Sequence, residues 1–224
     1  MLKPTPPLRA VTFDLDGLMF NTEELYQEVG GVVLARRGKQ ITGELLDEMM
    51  GRKSLLALQV MIDWHELNDT PEELAEESAE IFASLLPERL APMPGLLDLL
   101  ACLERGGVPT GIATSSGRGV VTRVLELSGL ADRFAFVLSA EDIVHGKPAP
   151  DVYLLAATRH GIEPVEMLVL EDSQIGCRAA VAAGTYAVAV PSGRSRNHEF
   201  PGAQFIADTL ADPRIAAALE LDGG

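Results

Sequence analysis

Short apolar runs and helix-periodic segments alternate along most of this 224-residue chain. An apolar run at 8–13 predicts a first β-strand, and the alternation resumes at about residue 91. This order of elements is typical of parallel strands joined by right-handed helical crossovers. The later predicted strands are 109–113, 136–138, 167–170, 185–190 and 204–207, and the predicted helices are 96–105, 118–128, 150–160, 173–183 and 212–219.

The segment 21–90 has a different pattern, because its apolar positions follow a helical period and no convincing strand occurs in it. Asn21 stands where a helix N-cap is expected. Thr70, Pro71 and Glu73 combine an N-cap, a proline in the first turn and a capping-box acid. We expect about four helices in this segment.

The two patterns together predict an α/β fold, with a doubly wound, Rossmann-like and mostly parallel sheet that carries an inserted helical domain. Two prolines and a glycine at 90–95 end the helical block, and residues 18–20 lead into it. We expect residues 1–19 and 91–224 to form the α/β core. Residues 20–90 are expected to form a helical cap.

Composition narrows the range of partners. The chain is 47% hydrophobic and 23% charged, with a formal net charge of -15. Because nucleic acids and anionic membrane surfaces are bound through basic patches, neither is an expected partner. No apolar run approaches the ~20 residues of a membrane span. With two cysteines and no secretory pattern at the N-terminus, we expect a cytoplasmic protein, and a monomer is favoured where the sequence leaves the oligomeric state open.

Two acids directly follow the first predicted strand. Asp14 and Asp16 are two positions apart, so an extended chain would place both carboxylates on the same side. Gly17 then permits a sharp turn at the strand end. Because open α/β sheets usually bind ligands at the carboxyl ends of their strands, this pair is the first candidate for chemistry.

Three further motifs follow later predicted strands, at the same edge of the sheet. IATSSG presents hydroxyl groups at a helix start, which is a natural phosphate site, GKPAPDVY contains a lysine before a proline-stiffened turn, and LEDSQIG contains two acids. Together they predict a hard-oxygen site for Mg²⁺ and a cradle for phosphate oxygens. The candidate side chains are Thr114, Ser115, Ser116, Lys147, Glu171 and Asp172.

With these motifs the sequence resembles the haloacid dehalogenase-like superfamily, and within it the small phosphatases related to beta-phosphoglucomutase. DLDG, TSS, KPAPD and LEDS occur in the family's order, and the helical insertion occupies the position of the family's cap. The resemblance implies an Mg²⁺-dependent phosphatase. It would hydrolyse a small phosphorylated metabolite, a sugar or nucleoside monophosphate, through an aspartyl-phosphate, with the cap closing over the substrate.

The resemblance also implies a role for each matching residue. Asp14 would be the nucleophile, and Asp16 the general acid and then the general base. Mg²⁺ would be held by the Asp14 carboxylate, the Asp16 backbone carbonyl and Asp172, with Glu171 close by. The implied phosphate-binding residues are Thr114, Ser115 and Lys147. In a predicted cap loop, Arg52 and Lys53 are candidates for substrate contact, although a solvated loop fits them equally well.

Two alternatives remain. The mutase form of the family has an aspartate at the position of Asn21 and a histidine at that of Tyr26, so these departures favour a hydrolase over a phosphomutase. A signalling module like a response-regulator receiver also uses acids, a hydroxyl and a lysine on a doubly wound sheet. It fits less well, because the acids are separated by one residue and a long helical block follows the first strand.

Overall fold

The structure, a computed structural model, describes residues 4–49 and 54–221. It divides into two compact units. One consists of Met1–Asn21 and Ala91–Gly224, and the other of Thr22–Leu90. All of the site described below lies in the first unit.

A parallel sheet forms the centre of the first unit. Its six strands are β1 (Ala10–Phe13), β2 (Thr110–Ala113), β3 (Phe136–Leu138), β4 (Met167–Glu171), β5 (Tyr186–Ala189) and β6 (Phe205–Ile206). Their order across the sheet is β3-β2-β1-β4-β5-β6, and every adjacent pair is parallel. The chain therefore adds β2 and β3 on one side of β1, and then β4, β5 and β6 on the other side. The predicted α/β fold class is confirmed, with each strand within two residues of its predicted bounds.

The three central strands are buried along their whole length. Every residue of β1, β2 and β4 is buried, which is typical of a parallel sheet covered on both faces. Backbone pairing continues just past β1, where the Asp14 N–H donates to the Leu170 carbonyl at 3.0 Å. The first acid is therefore held in register with the carboxyl end of β4.

The second unit is helical. In its described part it contains α1 (Thr22–Ala35), α2 (Gly43–Met49), α3 (Ser54–His65) and α4 (Pro71–Arg89). The predicted capping box opens α4, because Thr70 Oγ1 accepts the Glu73 N–H and the Glu73 carboxylate accepts the Thr70 N–H at 2.8 Å. Both the number of helices and this helix start are confirmed for the described residues.

Side chains of α1, of α4 and of the residues next to them hold the helical unit together. Tyr26 stacks on Phe82 with ring centroids 4.3 Å apart and planes inclined by 6°. Arg37, just after α1, donates to Asp69 at 2.6 Å and to Glu77 at 2.7 Å. Tyr26, one of the two departures from the mutase pattern, thus has a packing role inside this unit.

Five helices accompany the later strands within the described part of the first unit. They are α5 (Leu96–Arg105), α6 (Arg118–Ser128), α7 (Asp151–His160), α8 (Gln174–Ala182) and α9 (Pro213–Ala218). Each lies within one residue of its predicted bounds. Across the described ranges of the chain, no helix has both the length and the apolar character required to cross a membrane.

The two segments where the chain leaves and re-enters the first unit pair with each other. Phe20 and Pro92 form an antiparallel bridge. Asn21 donates its N–H to the Ala91 carbonyl at 3.1 Å, and its side-chain oxygen accepts the Ala91 N–H at 2.8 Å. Asn21, the other departure from the mutase pattern, therefore helps to fix this crossing.

Candidate active site

The two acids after β1 have different partners. The Asp14 carboxylate is buried and accepts a hydrogen bond from Lys147 Nζ at 2.5 Å. Asp16 is half-buried, and its Oδ2 accepts hydrogen bonds from Thr114 Oγ1 at 3.1 Å and from Ser116 Oγ at 2.6 Å. Two acids separated by one residue, just after the same strand, thus meet different partners: one a cation and the other neutral hydroxyls.

The hydroxyl-rich loop follows β2. Thr114 continues the sheet, since its N–H donates to the Leu138 carbonyl at 3.0 Å, and it is buried. Its Oγ1 also accepts the Ser116 N–H at 3.0 Å, which shapes the loop. Ser115 is exposed. Thr114 and Ser116 are therefore brought to Asp16, whereas Ser115 lies exposed between them.

The start of α6 has a partner that the sequence did not reveal. The Arg118 N–H donates to both carboxylate oxygens of Glu141, at 3.1 and 3.0 Å. A carboxylate at this end of a helix is favoured by the helix dipole. The first free N–H of α6, which we expected to face a phosphate, is thus occupied by an acid in the loop after β3.

Lys147 lies among the acids. Only 5% of its side chain is exposed. Besides Asp14, its Nζ donates to Glu171 Oε1 at 2.6 Å and to the Ala113 carbonyl at 3.1 Å. Its ammonium group therefore links the carboxyl ends of β1, β2 and β4 to the proline-stiffened turn that follows Lys147.

The Glu171 carboxylate, at the end of β4, is fully buried. Its Oε1 accepts hydrogen bonds from Lys147 and from the Tyr153 hydroxyl, the latter at 2.7 Å. Its Oε2 accepts from the Ser173 N–H at 3.2 Å and from Ser173 Oγ at 3.0 Å. A Cβ atom at Gly176 would lie 1.7 Å from Oε1, so any larger residue at this position in the first turn of α8 would require the Glu171 carboxylate to move.

Three acids converge into a cluster that could hold a metal ion. One carboxylate oxygen from each of Asp14, Glu171 and Asp172 lies within 4.8 Å of the other two, and all three residues are buried. The donors are all hard oxygen atoms, which suit Mg²⁺. Lys147 is the cation that contacts two of these carboxylates. A bound divalent cation would balance the remaining negative charge, so the residues present fit Mg²⁺.

The pKa of Asp14 reflects this crowding. Burial raises the pKa of its carboxyl to about 8, and the charges of Glu171 and Asp16 act in the same direction, while the Lys147 ammonium opposes them. For Lys147, burial favours the neutral amine, but the charges of Asp14 and Glu171 outweigh it and the pKa is raised. The lysine is therefore firmly charged.

Several predicted residues are brought together, and others are not. Asp14, Asp16, Thr114, Lys147, Glu171 and Asp172 meet at the carboxyl edge of the sheet. Ser115 adjoins the site, while Arg52 and Lys53 lie outside the described residues. Sequence reasoning assigned no role to Tyr153, Ser173, Gly176 or Glu141. For the first three, the available signal was their position inside the KPAPDVY and LEDSQIG motifs.

Comparison with known proteins identifies the family. The model of the haloacid dehalogenase-like hydrolases matches residues 11–190. Fructose-1-phosphate phosphatase YqaB of Escherichia coli (strain K12) is 33% identical over 80% of this chain and 94% of its own length. A bifunctional riboflavin kinase/FMN phosphatase of Arabidopsis thaliana is 30% identical over 92% of this chain, and the chain spans only 54% of that longer relative.

A solved structure agrees in fold. CbbY from Rhodobacter sphaeroides, crystallised in complex with phosphate, superimposes with a TM-score of 0.81 and 27% identity, covering 96% of this chain and 100% of CbbY. The family match spans the first strand, the helical unit and the strands β2 to β5. The predicted resemblance is thereby confirmed: the chain belongs to the haloacid dehalogenase-like hydrolase family.

Proposed function

We propose that this protein is an Mg²⁺-dependent phosphatase of a small phosphorylated metabolite, a sugar or nucleoside monophosphate. The observation that carries the proposal is the convergence of Asp14, Lys147, Glu171 and Asp172 at one buried point of the sheet edge. The reaction class, hydrolysis of a phosphate monoester, is supported by the match to the haloacid dehalogenase-like hydrolases and by relatives such as fructose-1-phosphate phosphatase YqaB.

The proposed nucleophile is Asp14. One of its carboxylate oxygens would attack phosphorus, and the bond from phosphorus to the ester oxygen would break to leave an aspartyl-phosphate. A carboxylate is a weak nucleophile and depends on in-line placement rather than on basicity. Support comes from its fixed position, since its backbone pairs with Leu170 and its side chain with Lys147.

The proposed general acid and base is Asp16. It would give its proton to the departing ester oxygen, then take a proton from the water that attacks the aspartyl-phosphate and frees Asp14. The hydroxyls of Thr114 and Ser116, which both donate to Asp16 Oδ2, support a defined orientation of this carboxyl. Together with Lys147 and Ser115, Thr114 is proposed to bind the phosphoryl oxygens.

The proposed Mg²⁺ ligands are Asp14, the Asp16 backbone carbonyl and Asp172, with Glu171 beside them. Bound Mg²⁺ would neutralise phosphoryl charge and permit two anions to approach each other. The buried all-oxygen cluster supports this assignment. We also propose a cytoplasmic location, which is supported by the small number of cysteines.

The decisive experiment is a phosphatase screen with Mg²⁺ over many monophosphates, including fructose 1-phosphate and FMN. Phosphate release should require Mg²⁺ and should fall to background in Asp14→Asn, since a carboxamide cannot form the acyl phosphate. Asp98→Asn, an exposed aspartate in α5, is the matched control and should keep full activity. Activity that survives in Asp14→Asn would refute the mechanism.

The phosphomutase alternative has weaker support. It rests only on the resemblance of the motifs and the cap position to the branch that contains beta-phosphoglucomutase. Asn21 and Tyr26 argue against a mutase, because they replace the aspartate and histidine of the mutase form and have structural contacts here. Isomerisation of a hexose phosphate in the presence of a bisphosphate activator would favour the mutase. A phospho-form that persists for hours would instead favour the receiver-like module.

A further inference from the structure

Tyr153 is one of the largest fully buried side chains in the described part of the chain, and it points a hydroxyl into the candidate active site. The residue belongs to α7, six positions after Lys147. A phenylalanine would fill the same apolar space without a polar atom. Since burying a hydroxyl is costly unless it is hydrogen-bonded, packing alone does not explain a tyrosine here.

The hydroxyl has one partner of clear importance. It donates to Glu171 Oε1 at 2.7 Å, and both residues are completely buried. A phenol is protonated at neutral pH, so the Tyr153 hydroxyl acts as a donor to this carboxylate.

The donors around Glu171 differ in charge. Lys147 also donates to Oε1, but its positive charge competes with any cation that approaches the carboxylates. Tyr153 fixes the same oxygen atom without adding charge. Of the two donors to Oε1, only the neutral one orients the carboxylate at no electrostatic cost to a bound Mg²⁺.

We propose that Tyr153 is a positioning residue that holds the Glu171 carboxylate in the orientation required for Mg²⁺ binding. The proposal rests on the proposed function, because it assumes that the acidic cluster binds Mg²⁺. It assigns a role to the hydroxyl alone. The ring contributes separately, since Lys147 Nζ lies 5.0 Å from its centroid.

The test compares Tyr153→Phe with Tyr186→Phe. Tyr186 begins β5, at the opposite end of the strands, and offers the same chemical deletion away from the acids. Mg²⁺ is titrated into each folded, metal-free protein by calorimetry. Tyr153→Phe should weaken Mg²⁺ binding about tenfold, as is typical when a partner of a metal-binding side chain is lost. Tyr186→Phe should bind Mg²⁺ as the unmodified protein does.

A double-mutant cycle ties the effect to Glu171. If the hydroxyl acts through this carboxylate, Tyr153→Phe should cause no further loss of Mg²⁺ affinity in a Glu171→Gln background. A role in packing alone would lower the melting temperature of Tyr153→Phe and leave its Mg²⁺ affinity unchanged. That result would overturn the proposal. A loss of Mg²⁺ affinity from Tyr153→Phe that is as large in the Glu171→Gln background as in the unmodified protein would overturn it as well.

A second measurement needs no substitution at this site. In protein labelled with 3-fluorotyrosine, the fluorine resonance of Tyr153 should shift on addition of Mg²⁺, while that of Tyr186 should not. An unmoved Tyr153 resonance in protein that binds Mg²⁺ would also overturn the proposal. If the unmodified protein bound no Mg²⁺ at all, the proposed metal dependence itself would fail, which is a distinguishable outcome.

Discussion

At the scale of single residues, Asp16 depends on a short hydrogen bond that its spacing from Asp14 does not reveal. Ser116 Oγ lies 2.6 Å from Asp16 Oδ2. A hydrogen bond to a charged group contributes about 1.5–3 kcal/mol. If the bond orients Asp16 for proton transfer, Ser116→Ala should lower kcat by roughly ten- to a hundredfold while KM changes little.

The control for this prediction is Ser128→Ala. Ser128 ends α6, and its hydroxyl donates to the Leu125 carbonyl in the same helix. Steady-state kinetics with one substrate at saturating Mg²⁺ should show an unchanged kcat for this variant. A Ser116→Ala enzyme with normal kcat would show that Thr114 alone is sufficient to orient Asp16.

A second residue-scale prediction concerns His160, at the end of α7. Its Nε2 lies 3.2 Å from Thr12 Oγ1 in β1, and its ring meets Phe136 edge-on at 4.6 Å. Burial lowers the pKa of His160 to about 4, from an ordinary value of 6.5. Between these pH values the unfolded chain binds a proton that the folded protein rejects, so folding becomes less favourable as the pH falls.

Above pH 6.5 the neutral histidine has no such cost. We expect His160 to contribute a loss of about 1–2 kcal/mol in the free energy of unfolding between pH 7 and pH 4.5. Urea unfolding at a series of pH values measures it. The difference between the unmodified protein and His160→Gln isolates this residue from the titrating carboxylates. Parallel pH profiles of the two proteins would contradict the prediction.

At the scale of elements, α8 is constrained by the carboxylate that it packs against. Ser173 caps the helix, since its Oγ accepts the Gly176 N–H at 3.0 Å and donates to Glu171. In Gly176→Ala the added methyl would overlap Glu171 Oε1. We expect a loss of about 2 kcal/mol or more in unfolding free energy, because the buried acid and the helix must separate.

Gly119→Ala is the matched control for this substitution. Gly119 lies in the first turn of α6, and an added Cβ there would meet no atom within 4 Å. Since alanine is the better helix former by about 0.8–1 kcal/mol, this variant should be as stable as the unmodified protein or more stable. Denaturant unfolding of both variants provides the comparison. A stable Gly176→Ala protein would mean that Glu171 can rotate away.

The elements themselves were accessible from sequence because each depends on local chemistry. Periodicity defined the helices, and the Thr70-to-Glu73 capping box marked a helix start that the structure reproduces. The order of the four motifs indicated that the acids, hydroxyls and lysine share one sheet edge. The individual partners were not accessible. The bond from Tyr153 to Glu171 depends on how far α7 turns before it packs on the sheet, and local sequence does not encode that distance.

At the scale of the whole molecule, negative charge is spread along the chain and is also concentrated in one buried cluster of acids. The chain has a net charge of -15, and the Asp14, Glu171 and Asp172 carboxylates lie buried together. Like charges in a buried cluster repel one another more strongly than exposed charges do. The metal-free fold should therefore contain a local strain of electrostatic origin at its carboxyl edge. The Lys147 ammonium, which contacts Asp14 and Glu171, offsets part of it.

The last prediction uses this strain. Because Mg²⁺ would bind the folded cluster and not the unfolded chain, Mg²⁺ at about a hundred times its dissociation constant should add about 2.7 kcal/mol of stability. For a chain of this length that is a rise of roughly 5–10 °C in melting temperature.

In Asp172→Asn this rise in melting temperature should be lost. Without Mg²⁺, however, the variant should melt at a higher temperature than the unmodified protein, because one buried negative charge is gone. Asp132→Asn, an exposed aspartate after α6, should keep the full Mg²⁺ response. Scanning calorimetry measures the melting temperature of all three proteins with and without Mg²⁺. An Asp172→Asn protein that is less stable without metal would show that this carboxylate stabilises the fold rather than serving the cation.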